Sequence, residues 1–179
     1  MELVLAILLS TIVTLAAIQD LRVQKIPNLL TYPSMGLGLL YHSVANGLDG
    51  FIMSAGGLAL GIGLLIVPYA MGEMGAGDAK LMGAVGAAVG PQGVFTAFLF
   101  TAIIGGVYAL LILVIRRQES KGLFTRHIMM LKTFVLTRQF IPVPASEDER
   151  KPKLSYGIPI ALGTILYIWL ELSGYNPVS

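Results

Sequence analysis

Gly72–Gly90 reads GEMGAGDAKLMGAVGAAVG. It sets an aspartate, Asp78, and a lysine, Lys80, directly before a run of small residues, in a chain otherwise made mostly of Leu, Ile, Val and Ala. A single charge at the centre of a bilayer costs roughly 2.5–3.5 kcal/mol on insertion scales. An acid at the mouth of a weakly apolar helix therefore needs a function or a partner. Gly75 and Gly77, flanking Ala76, open backbone conformations closed to other residues and let another chain come close. After Asp78, the residues Gly83, Ala84, Gly86, Ala87, Ala88 and Gly90 make a surface smooth enough for tight helix contact. From Ala79 to Gly90 the run spans only about 18 Å at 1.5 Å per residue, against a hydrocarbon core of about 30 Å. Either the helix begins before Asp78, or the turn at Pro91–Gly93 is sunk in a bundle. Both draw Asp78 inward and make this the central, protein-surrounded helix.

The rest of the chain fits that picture. Of its 179 residues 55% are hydrophobic and 12% charged, and the mean hydropathy is +0.79, a membrane composition rather than that of a soluble domain. There is no cysteine, which excludes disulfides, Cys-ligated zinc and thiol catalysis. His42 and His127 alone do not make a histidine-rich metal site, so no metal and no cofactor is expected, nor a nucleic-acid partner. Six apolar runs stand out, approximately Leu3–Ile18, Leu29–Asn46, Phe51–Met71, Ala79–Gly90, Val94–Ile115 and Tyr156–Leu172. The first is headed by Glu2 and lacks a small-x-small cleavage site before Asp20, so it reads as a retained helix.

Six spans put the segments after spans 1, 3 and 5 on one side. Arg22 and Lys25 lie in the first, Lys80 in the second, and Arg116, Arg117, Lys121, Arg126, Lys132, Arg138, Arg150, Lys151 and Lys153 in the third. These are all 12 of the basic residues. The positive-inside rule makes that side cytoplasmic and places both termini outside. The expected fold is an all-α integral membrane protein, a single six-helix domain over 1–179, multi-pass in the cytoplasmic (inner) membrane. Within the third segment, 116–153, Phe124, Ile128, Leu131 and Val135 recur at helical spacing with Arg126, Lys132 and Arg138 off the stripe. This predicts an amphipathic helix on the inner leaflet, drawn to anionic membrane lipids. The stretch PVPASEDERKPK beyond it reads as a polar loop.

This topology brings two acids to one side at similar depth. Asp20 ends the first span in AIQDLRVQKIPN, and Asp78 opens the fourth. Read alone, Asp20 is an interfacial residue ending a helix, and Asp78 an N-cap after a glycine turn. Asp49 belongs to the short outer turn. Taken as a pair in a partly dry site, two carboxylates do not both ionise easily and tend to share one proton. Such a unit suits aspartic proteolysis, with one carboxylate as general base on water and its protonated partner polarising the scissile carbonyl. It equally suits proton or cation transport. The dipole of a helix N-terminus favours negative charge on Asp78, which biases Asp78 toward the base and Asp20 toward the acid, unless helix 1 continues past Asp20 toward Gln24.

The motifs separate these readings by resemblance. GAGDAK (Gly75–Lys80) fits the GxGD pattern of intramembrane aspartic peptidases and resembles the GxGDxKL form of the type IV prepilin peptidases. DLRVQKIPN (Asp20–Asn28) is similar to that family's other aspartate followed by IPN. GDAKLMGAVGAAVGP resembles members serving Tad/Flp-type pili, and YGIPIALG (Tyr156–Gly163) resembles their final-helix motif. The resemblance implies an endopeptidase that removes the short basic leader of prepilins at the cytoplasmic membrane face. Asp20 and Asp78 would be catalytic, and the substrate's hydrophobic N-terminal helix would dock beside the bundle. Gly75 and Gly77 would shape the loop presenting Asp78. Lys80 would position that loop, neutralise local charge or snorkel to the interface. Pro27 starts helix 2 at its first position, Asn28 supports by capping or hydrogen bonding, and Gly157 and Pro159 shape the start of helix 6. The cysteine-bearing domain that many bacterial relatives link to N-methylation is absent, so the resemblance covers the peptidase module alone. Archaeal preflagellin peptidases and a small proton or ion transporter are the alternatives.

Overall fold

The computed structural model describes residues 2–72, 74–115 and 155–174, apart from the side chains of Leu113 and Ile115. The expected amphipathic helix within 116–153 lies outside these residues. All regular structure among them is helical: α1 (Leu3–Val23), α2 (Asn28–Ala70), α3 (Ala76–Ile115) and α4 (Gly157–Leu172). Among the described residues, 2–72, 74–106 and 155–174 form one compact unit, and 107–115, the end of α3, lie outside it.

Two of these helices are too long to be single rods in a bilayer. Straight, α2 with 43 residues would run about 64 Å and α3 with 40 residues about 60 Å, roughly twice the hydrocarbon thickness. Each breaks at a glycine instead. Gly47 has φ 60° and ψ −136°, and Gly90 has φ 75° and ψ −178°, conformations that glycine alone adopts without strain. The break at Gly47 reverses the chain. A Cβ on Gly50 would lie 2.0 Å from the His42 carbonyl oxygen, whereas these positions would be about 12 Å apart along a continuous helix.

Neighbouring contacts give the directions. Met35, Gly38 and His42 meet Gly83, Ala87 and Ala88, so the first limb of α2 (28–46) runs parallel to the first limb of α3 (76–89). Ser54, Gly57 and Gly61 meet Ala87, Gly86 and Met82, so the second limb of α2 runs antiparallel to it. Gly93, Thr101 and Gly105 meet Tyr167, Gly163 and Pro159, which sets the second limb of α3 antiparallel to α4. Six helical segments among the described residues thus alternate in direction. Three stretches are long and apolar enough to cross a membrane, Leu3–Val23, Asn28–Ala70 and Ala76–Ile112, and α4 is a shorter apolar helix.

The first limb of α3 is the centre of this arrangement, as its small residues predict. Residues 81–88 are all buried. The outer segments instead expose large apolar side chains, among them Leu29, Val44, Ile103 and Trp169, a surface that water would penalise and lipid accepts. Where the central limb ends, its last carbonyls lose their helical partners. Pro91 has no N–H for Ala87, and the turn at Gly90 carries the chain away from Ala88. Ser54 Oγ–H donates to the Ala87 carbonyl at 2.6 Å and His42 Nε2–H to that of Ala88 at 2.8 Å, satisfying groups that lipid cannot.

Glycine on glycine holds the centre together. A Cβ on Gly86 would lie 2.0 Å from the Gly57 carbonyl oxygen, a backbone atom that yields only if two helices separate. Gly86→Ala is therefore expected to lower stability by about 2 kcal/mol or more and to drop the melting temperature in detergent. Gly36→Ala, where nothing lies within 4 Å of the added carbon, is the control, and in a helix it is expected to be neutral or stabilising.

Several sequence boundaries shift. α1 runs through Asp20 to Val23 and closes at Gln24, left-handed at φ 52°, whose N–H donates to the Asp20 carbonyl at 2.8 Å. Asp49 is helical rather than part of a turn, because the reversal is confined to Gly47. The fourth run begins at Ala76, before Asp78. Pro27 occupies the N-cap of α2, one place earlier than expected, with φ −68° and its carbonyl accepting from Leu30 and Thr31.

Candidate active site

Asp78 lies in the first turn of α3, three places past Gly75. Its main-chain N–H donates to the Gly75 carbonyl at 3.1 Å, and its Oδ2 accepts from the Gly75 N–H at 3.0 Å. This is the third helical position reaching back to the capping residue, half of a capping box, not the N-cap expected from sequence. The glycines allow the first turn to wind early. Neither Gly75 nor Gly77 has a positive φ, so they are not needed there for left-handed backbone. Gly77 serves close approach: a Cβ on it would come 3.0 Å from Ile26 Cβ and 3.4 Å from that residue's main-chain N and O. The α1–α2 loop lies directly on the turn that presents Asp78.

Asp20 reaches the same place from α1. Its Oδ2 accepts from the Gly157 N–H at 2.9 Å, and its carbonyl accepts from the Ser155 hydroxyl at 3.5 Å. Gly157 is the first residue of α4, so the Asp20 carboxylate sits at a helix N-terminus. The sequence places Asp20 near a helix C-terminus and derives an acid–base bias from that. The bias does not survive the fold: α1 continues beyond Asp20, and both carboxylates are served by N-terminal N–H groups of a helix, where the dipole favours negative charge.

The two aspartates are each 6% exposed, and Gly77, next to Asp78, packs against Ile26 of the loop that follows the helix carrying Asp20. Among the described residues, Asp78 Oδ1 is buried without a hydrogen-bond partner. Each carboxylate is thus anchored by one oxygen to the backbone, and Asp78 keeps the other unengaged. The supporting residues divide between two tasks. Gly75 holds Asp78, and Gly77 admits Ile26. Lys80 Nζ donates to Asn28 Oδ1 at 2.8 Å, and Pro27 starts the helix that carries Asn28. Sequence reasoning missed Gly157 and Ser155 as partners of Asp20, and His42 and Ser54 as caps of the central helix. The Gly-Pro pair at 90–91 signals carbonyls needing donors; nothing local signals that Gly157 meets Asp20.

These features define a multi-pass helical membrane protein with two buried carboxylates at one end of its helices. The chain belongs to the type IV leader peptidase family, whose model matches residues 7–110, more than half of its length. It is accordingly a peptidase, a hydrolase acting at a membrane. No curated protein and no solved structure gives a significant match to the chain.

Proposed function

We propose that the chain is an aspartic endopeptidase that cleaves the basic leader from type IV prepilins of the Flp type, with Asp20 and Asp78 as its catalytic pair. The observation that supports this is the placement of two buried carboxylates from separate helices at one end of the bundle, each tethered through one oxygen to a backbone N–H, with Asp78 Oδ1 buried and without a hydrogen-bond partner among the described residues.

Two like charges in a partly dry site favour a state with one proton between them. The ionised carboxylate takes a proton from a bound water, whose oxygen attacks the scissile carbonyl carbon. The protonated partner gives its proton to the carbonyl oxygen, forming a neutral gem-diol. Collapse of that intermediate breaks the C–N bond, with a proton delivered to the leaving amine, and the pair returns to its starting state. Water is the only co-reactant, and no metal or cofactor enters. The residual negative charge is supported at both ends by helix N-termini.

The six alternating segments would cross the bilayer six times, with the dyad end cytoplasmic and both termini outside. The basic residues at Arg22, Lys25 and Lys80, near the two aspartates in sequence, support that orientation. Water and the leader would then enter from the cytoplasm, while the substrate's apolar helix stays in the lipid beside the bundle. Co-expression with a Flp-type prepilin, read as a mobility shift on leader removal, tests the reading. A preflagellin co-expressed in parallel tests the neighbouring substrate class. The expected result is cleavage of the prepilin; cleavage of the preflagellin alone would reassign the substrate, and cleavage of neither would contradict the proposal.

A further inference from the structure

Lys80 is close in sequence to Asp78, which invites the role of counter-ion to the dyad. Its geometry points elsewhere. Residues two apart on a helix project roughly 200° from each other. Lys80 Nζ donates to Asn28 Oδ1 at 2.8 Å and lies 4.9 Å from the centre of the Tyr32 ring. Asn28 and Tyr32 stand four places apart at the start of α2, on one helix face, and make a two-point seat for a single cation, a carbonyl oxygen on one side and an aromatic face on the other. Beside this seat, Ile26 is pressed onto Gly77. Asp20, the loop at 24–27 and Asn28 are consecutive in the chain. A tie between Lys80 and Asn28 therefore joins the segment holding one aspartate to the helix turn holding the other.

We propose that Lys80 is a positioning residue: through Asn28 and Tyr32 it clamps the α1–α2 loop against the first turn of α3, and so sets the spacing of Asp20 and Asp78. It does not act by lending charge to the pair. This rests on the aspartic-peptidase reading above. Solvent-accessible contacts of this kind add little to global stability. Their weight lies in register, since misplacing reacting groups by 1 Å can cost about 10²-fold in rate.

The test compares Lys80→Met, Lys80→Arg, Asn28→Ala and the double variant Lys80→Met/Asn28→Ala in prepilin cleavage. Lys80→Met and Asn28→Ala are each expected to lower kcat by roughly 10- to 100-fold with little change in KM. The double variant should be no worse than either, because one contact is removed twice. Lys80→Arg, which keeps a donor, should recover most of the rate, and the pH–rate profile should keep its shape throughout. A Lys80→Met profile displaced along the pH axis, with Asn28→Ala at the wild-type rate, would mean that Lys80 acts by charge and would overturn the proposal. Multiplicative losses in the double variant would overturn it too. A second readout does not depend on substrate. With no native cysteine in the chain, spin labels at Lys25→Cys and Ala76→Cys report the loop-to-helix distance in detergent. That distribution should broaden in Lys80→Met and in Asn28→Ala; an unchanged distribution in both would refute the clamp even if cleavage fails for other reasons. Broadening with no cleavage by the wild type would leave the clamp standing and sink the peptidase reading instead.

Discussion

Asp78→Asn and Asp20→Asn are each expected to abolish measurable leader cleavage while leaving the folded protein intact or more stable. General acid–base groups contribute about 10²–10⁴-fold to rate, and in the proposed mechanism each variant removes one half of a unit that works only as a whole. The double variant is therefore expected to be no slower than either single one. The stability expectation runs the other way. Both carboxylates are almost wholly buried, and an amide in place of one removes the cost of burying a second ionisable group beside the first. Detergent melting curves should show Asp78→Asn at or above the wild-type temperature, with the Gly75 N–H still served by the amide oxygen. A variant that loses activity together with its fold would not support the dyad; one that keeps both would exclude that aspartate from the chemistry.

The second large effect is expected at Gly157, which the sequence marks only as the start of a helix. A Cβ there would lie 2.9 Å from Asp20 Cβ and 3.0 Å from its Oδ2, well inside the 3.5–4.0 Å at which carbon atoms rest against each other. Gly157→Ala must displace the Asp20 side chain, and with it the 2.9 Å hydrogen bond from the Gly157 N–H. A loss of about 10²-fold in kcat is expected, with KM and melting temperature much less affected. Gly106→Ala, where an added carbon meets nothing within 4 Å, should cleave at the wild-type rate. Equal activity in the two variants would show that Asp20 does not depend on the start of α4.

Much of this site is legible in the sequence because its logic is local or periodic. Asp78 follows a glycine turn and precedes a small-residue run, and these announce an acid delivered on a tightly packed helix. Burial of residues 81–88 follows from that run. The apolar runs locate the helices but under-run their ends. Gln19, Asp20 and Arg22 dilute the hydropathy of α1, yet the backbone stays helical to Val23 because a left-handed Gln24 closes it. The turns are shorter than their composition suggests, for the opposite reason. At Gly47 and Gly90 a single residue with positive φ reverses the chain, so Asp49 and Pro91 are helical. What no local pattern carries is tertiary pairing. The Gly157 N–H and the Asp20 carboxylate are 137 positions apart, and the same holds for Lys80 with Asn28, 52 apart. Each residue stands in a motif, but the hydrogen bond between motifs exists only in the fold. The acid–base bias drawn from helix ends failed on that account: it weighed the helix that carries Asp20 and not the one that meets it.

The most direct test of the account is made with the purified chain in liposomes, given a full-length Flp-type prepilin and nothing else. Mass spectrometry of the products is predicted to find one cut, yielding the basic leader and a pilin that begins at its apolar helix, with neither fragment formed by Asp78→Asn. Intact prepilin after incubation with folded wild-type protein, or the same fragments from the Asp78→Asn variant, would contradict it.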